Sequence, residues 1–132
     1  MKPFLLRMLA AAWLLVLVGF TAQAQADLGP VRSALRGGSS HDLAQYLAPA
    51  VELSFDGDKQ NFSATQAELV LKDFFAKNAP TGFDFIHQGA SGEGIQYAVG
   101  RYASRTGTYR VYVKLKPSRG APVIDNLDFT KE

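Results

Sequence analysis

After one long helical stripe, the apolar spacing of this chain changes to two and stays there. Ala67, Val70, Leu71, Phe74 and Phe75 fall at i, i+3, i+4, i+7 and i+8, the stripe of an amphipathic helix. Past Pro80 the period becomes two. Gly82 to Gln88, Ile95 to Ala103, Thr108 to Pro117 and Pro122 to Lys131 are four strand candidates, separated by glycine-containing turns short enough for hairpins.

The residues before the long helix add smaller elements. Leu28, Val31 and Leu35 have helical spacing, with Pro30 in the first turn and Gly37-Gly38 as the stop. Ser39 or Ser40 can cap a second helix, Asp42 to Leu47, which Pro49 closes. Val51, Leu53 and Phe55 alternate with Glu52, Ser54 and Asp56, giving a half-buried strand that turns at Asp56-Gly57-Asp58 and returns to Phe62. Ser63 and Gln66 fit a capping box, so the long helix runs from there to Lys77 and ends at Asn78 and Pro80. The order is helix, helix, strand, strand, helix and a four-stranded antiparallel meander. It predicts an α+β fold whose curved sheet wraps on helices, a cone that can enclose a pocket.

Alternation assigns faces. Phe83, Phe85 and His87, then Ile95, Tyr97, Val99 and Arg101, then Tyr109, Val111, Val113 and Leu115 are expected inside, with Arg110, Tyr112, Lys114 and Lys116 outside. A five-residue loop from Ala90 to Gly94 sets His87 opposite Tyr97, and a three-residue loop from Arg105 to Gly107 sets Arg101 opposite Val111.

The first 24 residues read as a secretory signal: Lys2 and Arg7, an apolar run from Met8 to Phe20, and Ala22-Gln23-Ala24. The run from Met8 to Ala22 is shorter than the roughly 20 residues of a spanning helix, so cleavage after Ala24 or Ala26 is expected rather than anchoring. The rest of the chain, residues 27–132, is one domain with one modest core. The leader takes two of the fourteen basic residues and none of the twelve acids, leaving twelve of each. A neutral chain without a basic stripe argues against nucleic acid and against a membrane-surface site, and no stable membrane insertion is expected after cleavage. The sequence has no cysteine, which excludes disulfides, thiolate metal sites and a lipid-anchor cysteine. The expected location is periplasmic or secreted, as a soluble domain.

Phe83-Asp84-Phe85-Ile86-His87-Gln88-Gly89-Ala90-Ser91, followed by Gly94, Tyr97 and Gly100 and then by Gly107-Thr108-Tyr109-Arg110-Val111-Tyr112, resembles a family of small secreted bacterial proteins. That family is domain of unknown function 4783, a branch of the cone-shaped fold named after nuclear transport factor 2, in the cystatin-like superfamily. The resemblance covers nearly the whole chain after the leader, including Gln66-Ala67-Glu68 and Phe74-Phe75. It implies a fold and an envelope location, and it brings no catalytic residues. The wider superfamily spans isomerases, dehydratases, ligand-binding domains and docking modules, so the fold alone leaves function open.

The residues support three functional readings. In the first, Phe85, His87, Tyr97, Val99 and Val113 line the cone and bind a small apolar molecule with one polar end, with Arg101 at the rim for a carboxylate. His87 suits ligand hydrogen bonding or proton transfer, but a histidine tied to Tyr97 or a backbone carbonyl would serve structure alone. Arg101 can equally extend into water over its own apolar stem. In the second, Tyr102, Arg110, Tyr112 and Lys114 form an outer docking face for an envelope protein or for a homodimer, since tyrosine and arginine are enriched at interfaces. The third is an isomerase- or hydrolase-like enzyme using His87 and Asp125. It is the weakest, because no acid and base fall within reach of each other. No catalytic residue, cofactor or metal ligand is assigned: Asp56-Gly57-Asp58 lacks the Gly and Glu of a calcium loop, and His41 lies far from His87.

Overall fold

The computed structural model describes residues 25–132, and the leader expected over residues 1–24 lies outside them. Helix α1 spans Gly29–Gly37 and α2 spans Ser40–Ala44. Between them Gly38 takes φ 62°, a left-handed conformation open to glycine, and its N–H closes the end of α1. The Ser39 hydroxyl then accepts from the Asp42 N–H at 3.2 Å and starts α2. α2 stops three residues before the expected Leu47, because Leu47 already belongs to strand β1 (Leu47–Phe55) and lies beside Ile124.

β2 (Asp58–Ser63) returns along β1, and α3 (Ala64–Lys77) comes directly after it. Both capping-box bonds are present: Ser63 Oγ accepts from the Gln66 N–H, and Gln66 Oε1 from the Ser63 N–H, each at 3.2 Å. The expected stripe is the buried one, with Ala67, Leu71, Phe74 and Phe75 turned inward. β3 (Pro80–Gly92), β4 (Ile95–Ser104), β5 (Gly107–Lys116) and β6 (Val123–Lys131) complete the chain.

The expected element order is observed, but the meander is not a sheet by itself. The strands form one six-stranded mixed sheet in the order β2-β1-β6-β5-β4-β3. β1 runs parallel to β6, where the Asp56 N–H donates to the Phe129 carbonyl at 2.8 Å and the Ile124 N–H to the Tyr46 carbonyl at 2.7 Å. Hydrophobic period carries no signal for which strand a distant strand joins, so this parallel pairing is absent from the expectation.

The helices cover one face of the sheet, and their packing fills it. On β5 the inner residues are those expected: Tyr109, Val111, Val113 and Leu115 are all buried. On β4 the faces are reversed. The β4–β5 turn holds two residues, not three, so Ser104 pairs with Gly107 and Arg101 with Arg110. That one-residue slip sends Ile95, Tyr97, Val99 and Arg101 to the outer face and brings Ala98, Gly100 and Tyr102 inside. On β3, Phe83 and Phe85 are inner as expected, but the pairing skips Ile86 between Phe85↔Gly100 and His87↔Val99. This bulge turns His87 outward.

Phe74 sits at the centre of the inner face. Its ring centroid is 4.5 Å from that of Phe129, 5.3 Å from Tyr109 and 5.9 Å from Tyr102. Phe75, Leu71, Val111, Val113 and Leu127 surround this group. Each such side chain contributes roughly 1.5–3 kcal/mol by leaving water. The space a cone pocket would need is therefore taken up by the core.

Candidate functional site

With the inner face filled, the accessible aromatic and polar side chains singled out from the sequence lie mostly on the outer face of β3 to β6. Three aromatic rings run diagonally across it. His87 on β3 lies 5.5 Å from Tyr97 on β4, and Tyr97 lies 6.4 Å from Tyr112 on β5 at an interplanar angle of 24°. His87 Nε2 and Tyr97 Oη are 3.3 Å apart. Gly89 stands directly opposite Tyr97, and its lack of a side chain lets the tyrosine ring lie across β3. Ser91, Ile95, Tyr97, Tyr112 and Lys114 border an open groove of about 560 Å³ at this point.

The residues expected to share one pocket divide between two faces. Phe85 and Val113 are inside: Val113 is fully buried, and Phe85 packs edge-on against Phe83 at 4.9 Å. His87, Tyr97, Val99 and Arg101 are outside, so no single cavity joins the six. Of the expected docking residues, Arg110, Tyr112 and Lys114 are on the outer face. Tyr102 is not, because the β4 slip buries it completely and its hydroxyl donates to the Asn78 carbonyl at 2.5 Å. Burial, with Tyr109 beside it, pushes the Tyr102 phenol well above its ordinary pKa.

Charge is unevenly distributed over the outer face. β4 and β5 carry Arg101, Arg110, Lys114 and Lys116, whereas β6 and β1 carry Asp125, Asp128 and Glu52, with Lys59 beyond them on β2. A bulge between Ile124 and Asn126 frees Asp125 from strand alternation, and its carboxylate reaches Lys114 Nζ at 3.6 Å. It thus stands outside, not on the inner face that sharing the parity of Val123, Leu127 and Phe129 leads one to expect. Asn126 Nδ2 donates to Glu52 Oε1 at 3.2 Å, and Thr130 Oγ1 to Asp128 Oδ1 at 2.8 Å. Arg101 pairs with Glu132 at 3.2 Å. The Arg101–Glu132 pair is exposed on both sides and adds about 0–1 kcal/mol, so it orders the surface more than it stabilises the fold.

Ser91, Ile95, Asp128 and Glu52 belong to this surface and are not among the expected site residues: Ile95 is expected inside, and Asp128 is read as outward and set aside as a base. Ile95 follows once the β4 register is right; the outward parity of Asp128 and Glu52 is legible on their own strands, but the β1–β6 pairing that brings them together is not, and Ser91 carries no local signal. His87 and Asp125 stand on β3 and β6, three strand spacings or roughly 14 Å apart, which separates the expected acid and base. Among the described residues no three His, Cys, Asp or Glu side chains group closely enough to hold a metal ion, and no helix is long and apolar enough to cross a membrane.

No curated protein matches the chain. Solved structures do. A DUF4783 family protein from Bacteroides ovatus is 29% identical with a TM-score of 0.78, covering 83% of this chain and 98% of that one. A second, from Bacteroides uniformis, is 23% identical with a TM-score of 0.74, covering 78% and 94%. An NTF2-like protein of unknown function from Burkholderia xenovorans is 9% identical with a TM-score of 0.59, covering 80% of each chain, and so shares the fold. The family model of the domain of unknown function DUF4783 matches residues 28–130, and the chain belongs to that family.

Proposed function

We propose that this protein is an exported, noncatalytic docking module that binds a second copy of itself through the outer face of its sheet. The observation that carries the proposal is the His87-Tyr97-Tyr112 row, which is accessible on the outer face while the inner face is packed with Phe74, Tyr109 and Phe129. Rigid aromatic side chains with a polar end provide contact area at low entropic cost. The charge pattern favours a second copy over an unrelated partner. A two-fold axis that lays β5 of one copy over β6 of the other sets Arg110 and Lys114, which flank Tyr112, beside Asp128, twice over, as an isologous interface requires.

A second reading rests on the groove itself. Its volume of about 560 Å³ falls within the roughly 300–1,000 Å³ of small-molecule sites, and Lys114 at its border suits a ligand with one anionic end.

Zero-length cross-linking of a mixture of unlabelled and nitrogen-15-labelled protein separates the readings. Dimerisation predicts mixed-label links joining Lys114 to Asp128. Links confined to single-label peptides contradict it. A small molecule that co-purifies and is lost in Tyr112→Ala would favour the groove reading instead.

A further inference from the structure

Two glutamines break the apolar pattern of the inner sheet face. Gln88 pairs with Ala98, and Gln96 pairs with Ala90 and Leu115, so both share a face with fully buried Ala98 and nearly buried Leu115. Both amides are engaged by one residue at the start of the described chain. The Ala26 N–H donates to Gln96 Oε1 at 2.7 Å, and Gln88 Nε2 donates to the Ala26 carbonyl at 3.0 Å. These bonds hold the backbone of Ala26 on both sides. The next residues continue the anchor: Asp27 Oδ1 accepts from the Gly29 N–H at 2.9 Å, and Leu28 is buried ahead of α1.

The leader ends in two overlapping small-x-small sites, Ala22-Gln23-Ala24 and Ala24-Gln25-Ala26, and the sequence does not choose between them. The fold does. Cutting after Ala26 removes the residue that Gln88 and Gln96 grip and leaves two part-buried amides without their partners, whereas cutting after Ala24 keeps the clamp whole. We infer that the processing site is the Ala24–Gln25 bond, that the mature protein starts at Gln25, and that Gln88 and Gln96 are a clamp for its first residues. The new N-terminus then lies at a recess of about 400 Å³ bordered by Gln25, Gly92, Glu93, Gly94 and Pro117. This inference rests on the export reading.

The full chain, exported by a bacterial host and purified from its envelope, tests it by intact mass and N-terminal sequencing. The expected start is Gln25, either free or as the lactam formed when its α-amine displaces ammonia from its own side-chain amide. A start at Asp27 overturns the inference and leaves export standing, while an uncut chain overturns both. In the processed protein, hydrogen exchange at the Ala26 amide should be slowed roughly tenfold relative to a free amide. Gln96→Ala should abolish that protection and Gln88→Ala should weaken it. An Ala26 amide that exchanges freely in the unsubstituted protein overturns the clamp.

Discussion

The Tyr97 ring lies over Gly89: a Cβ built on Gly89 would sit 2.7 Å from Tyr97 Oη and 2.8 Å from Cζ. Residues directly opposite on antiparallel strands ordinarily share the space above the sheet, and here one of them gives up all of it. The outcome is a tyrosine laid across the edge strand, with its hydroxyl beside His87.

Gly89→Ala tests this relationship. Gly89 has no left-handed backbone requirement, so the substitution acts through the ring contact alone. The variant should lose about 1 kcal/mol and part of its near-ultraviolet tyrosine signal. In a Tyr97→Ala background the same change should be neutral or stabilising by roughly 0.4–1 kcal/mol, because the unfolded chain loses freedom. Equal effects in both backgrounds, measured by urea unfolding, would show that the ring is not the cause.

Gly100 makes a closer approach on the opposite face. An added Cβ would meet Phe83 Cζ at 2.5 Å and the Asp84 carbonyl oxygen at 2.8 Å. A backbone atom cannot swing aside, so Gly100→Ala should cost about 1–3 kcal/mol or more as the β3–β4 pair is pushed apart. A loss of less than about 0.3 kcal/mol, measured by urea unfolding, would contradict the packing described for Phe83.

Tyr102 sets the alkaline limit. Its folded-state pKa is raised above the ordinary value near 10, by burial first and by Tyr109 second, so the folded protein holds this proton more tightly than the unfolded chain. The resulting stability is fully present below about pH 10 and is lost as pH rises above it. Tyr102→Phe keeps the ring, gives up the bond to Asn78, and should be less stable at pH 7 by about 1 kcal/mol yet flatter in stability between about pH 10 and 11. An equally steep loss in both proteins would assign the alkaline transition elsewhere.

Local signals read well from this sequence, and registers did not. The Ser63–Gln66 capping box and the Ala67 to Phe75 stripe mark α3 because both lie within a few residues of one another. β4 reads Ile-Gln-Tyr-Ala-Val-Gly-Arg-Tyr-Ala, with apolar side chains on both parities, so alternation there does not say which face is buried. A turn one residue shorter than expected then inverted the strand, exchanging Tyr97 with Tyr102. Bulges at Ile86 and Asp125 did the same for His87 and Asp125, since a bulge adds a residue without changing the hydrophobic pattern around it. The parallel β1–β6 pair joins residues more than 70 positions apart, such as Glu52 and Asn126, and no local pattern encodes it.

Dimerisation through the outer face is tested most directly by sedimentation equilibrium of the processed protein and its Tyr112→Glu variant over a wide concentration range. Tyr112 is half-buried at the β5 end of the aromatic row and contributes nothing to the inner core, so the variant should keep its fold and thermal midpoint. The account predicts a concentration-dependent dimer for the unsubstituted protein and a monomer for Tyr112→Glu at every concentration. An unsubstituted protein that stays monomeric, or a Tyr112→Glu variant that dimerises as well as its parent, would contradict it.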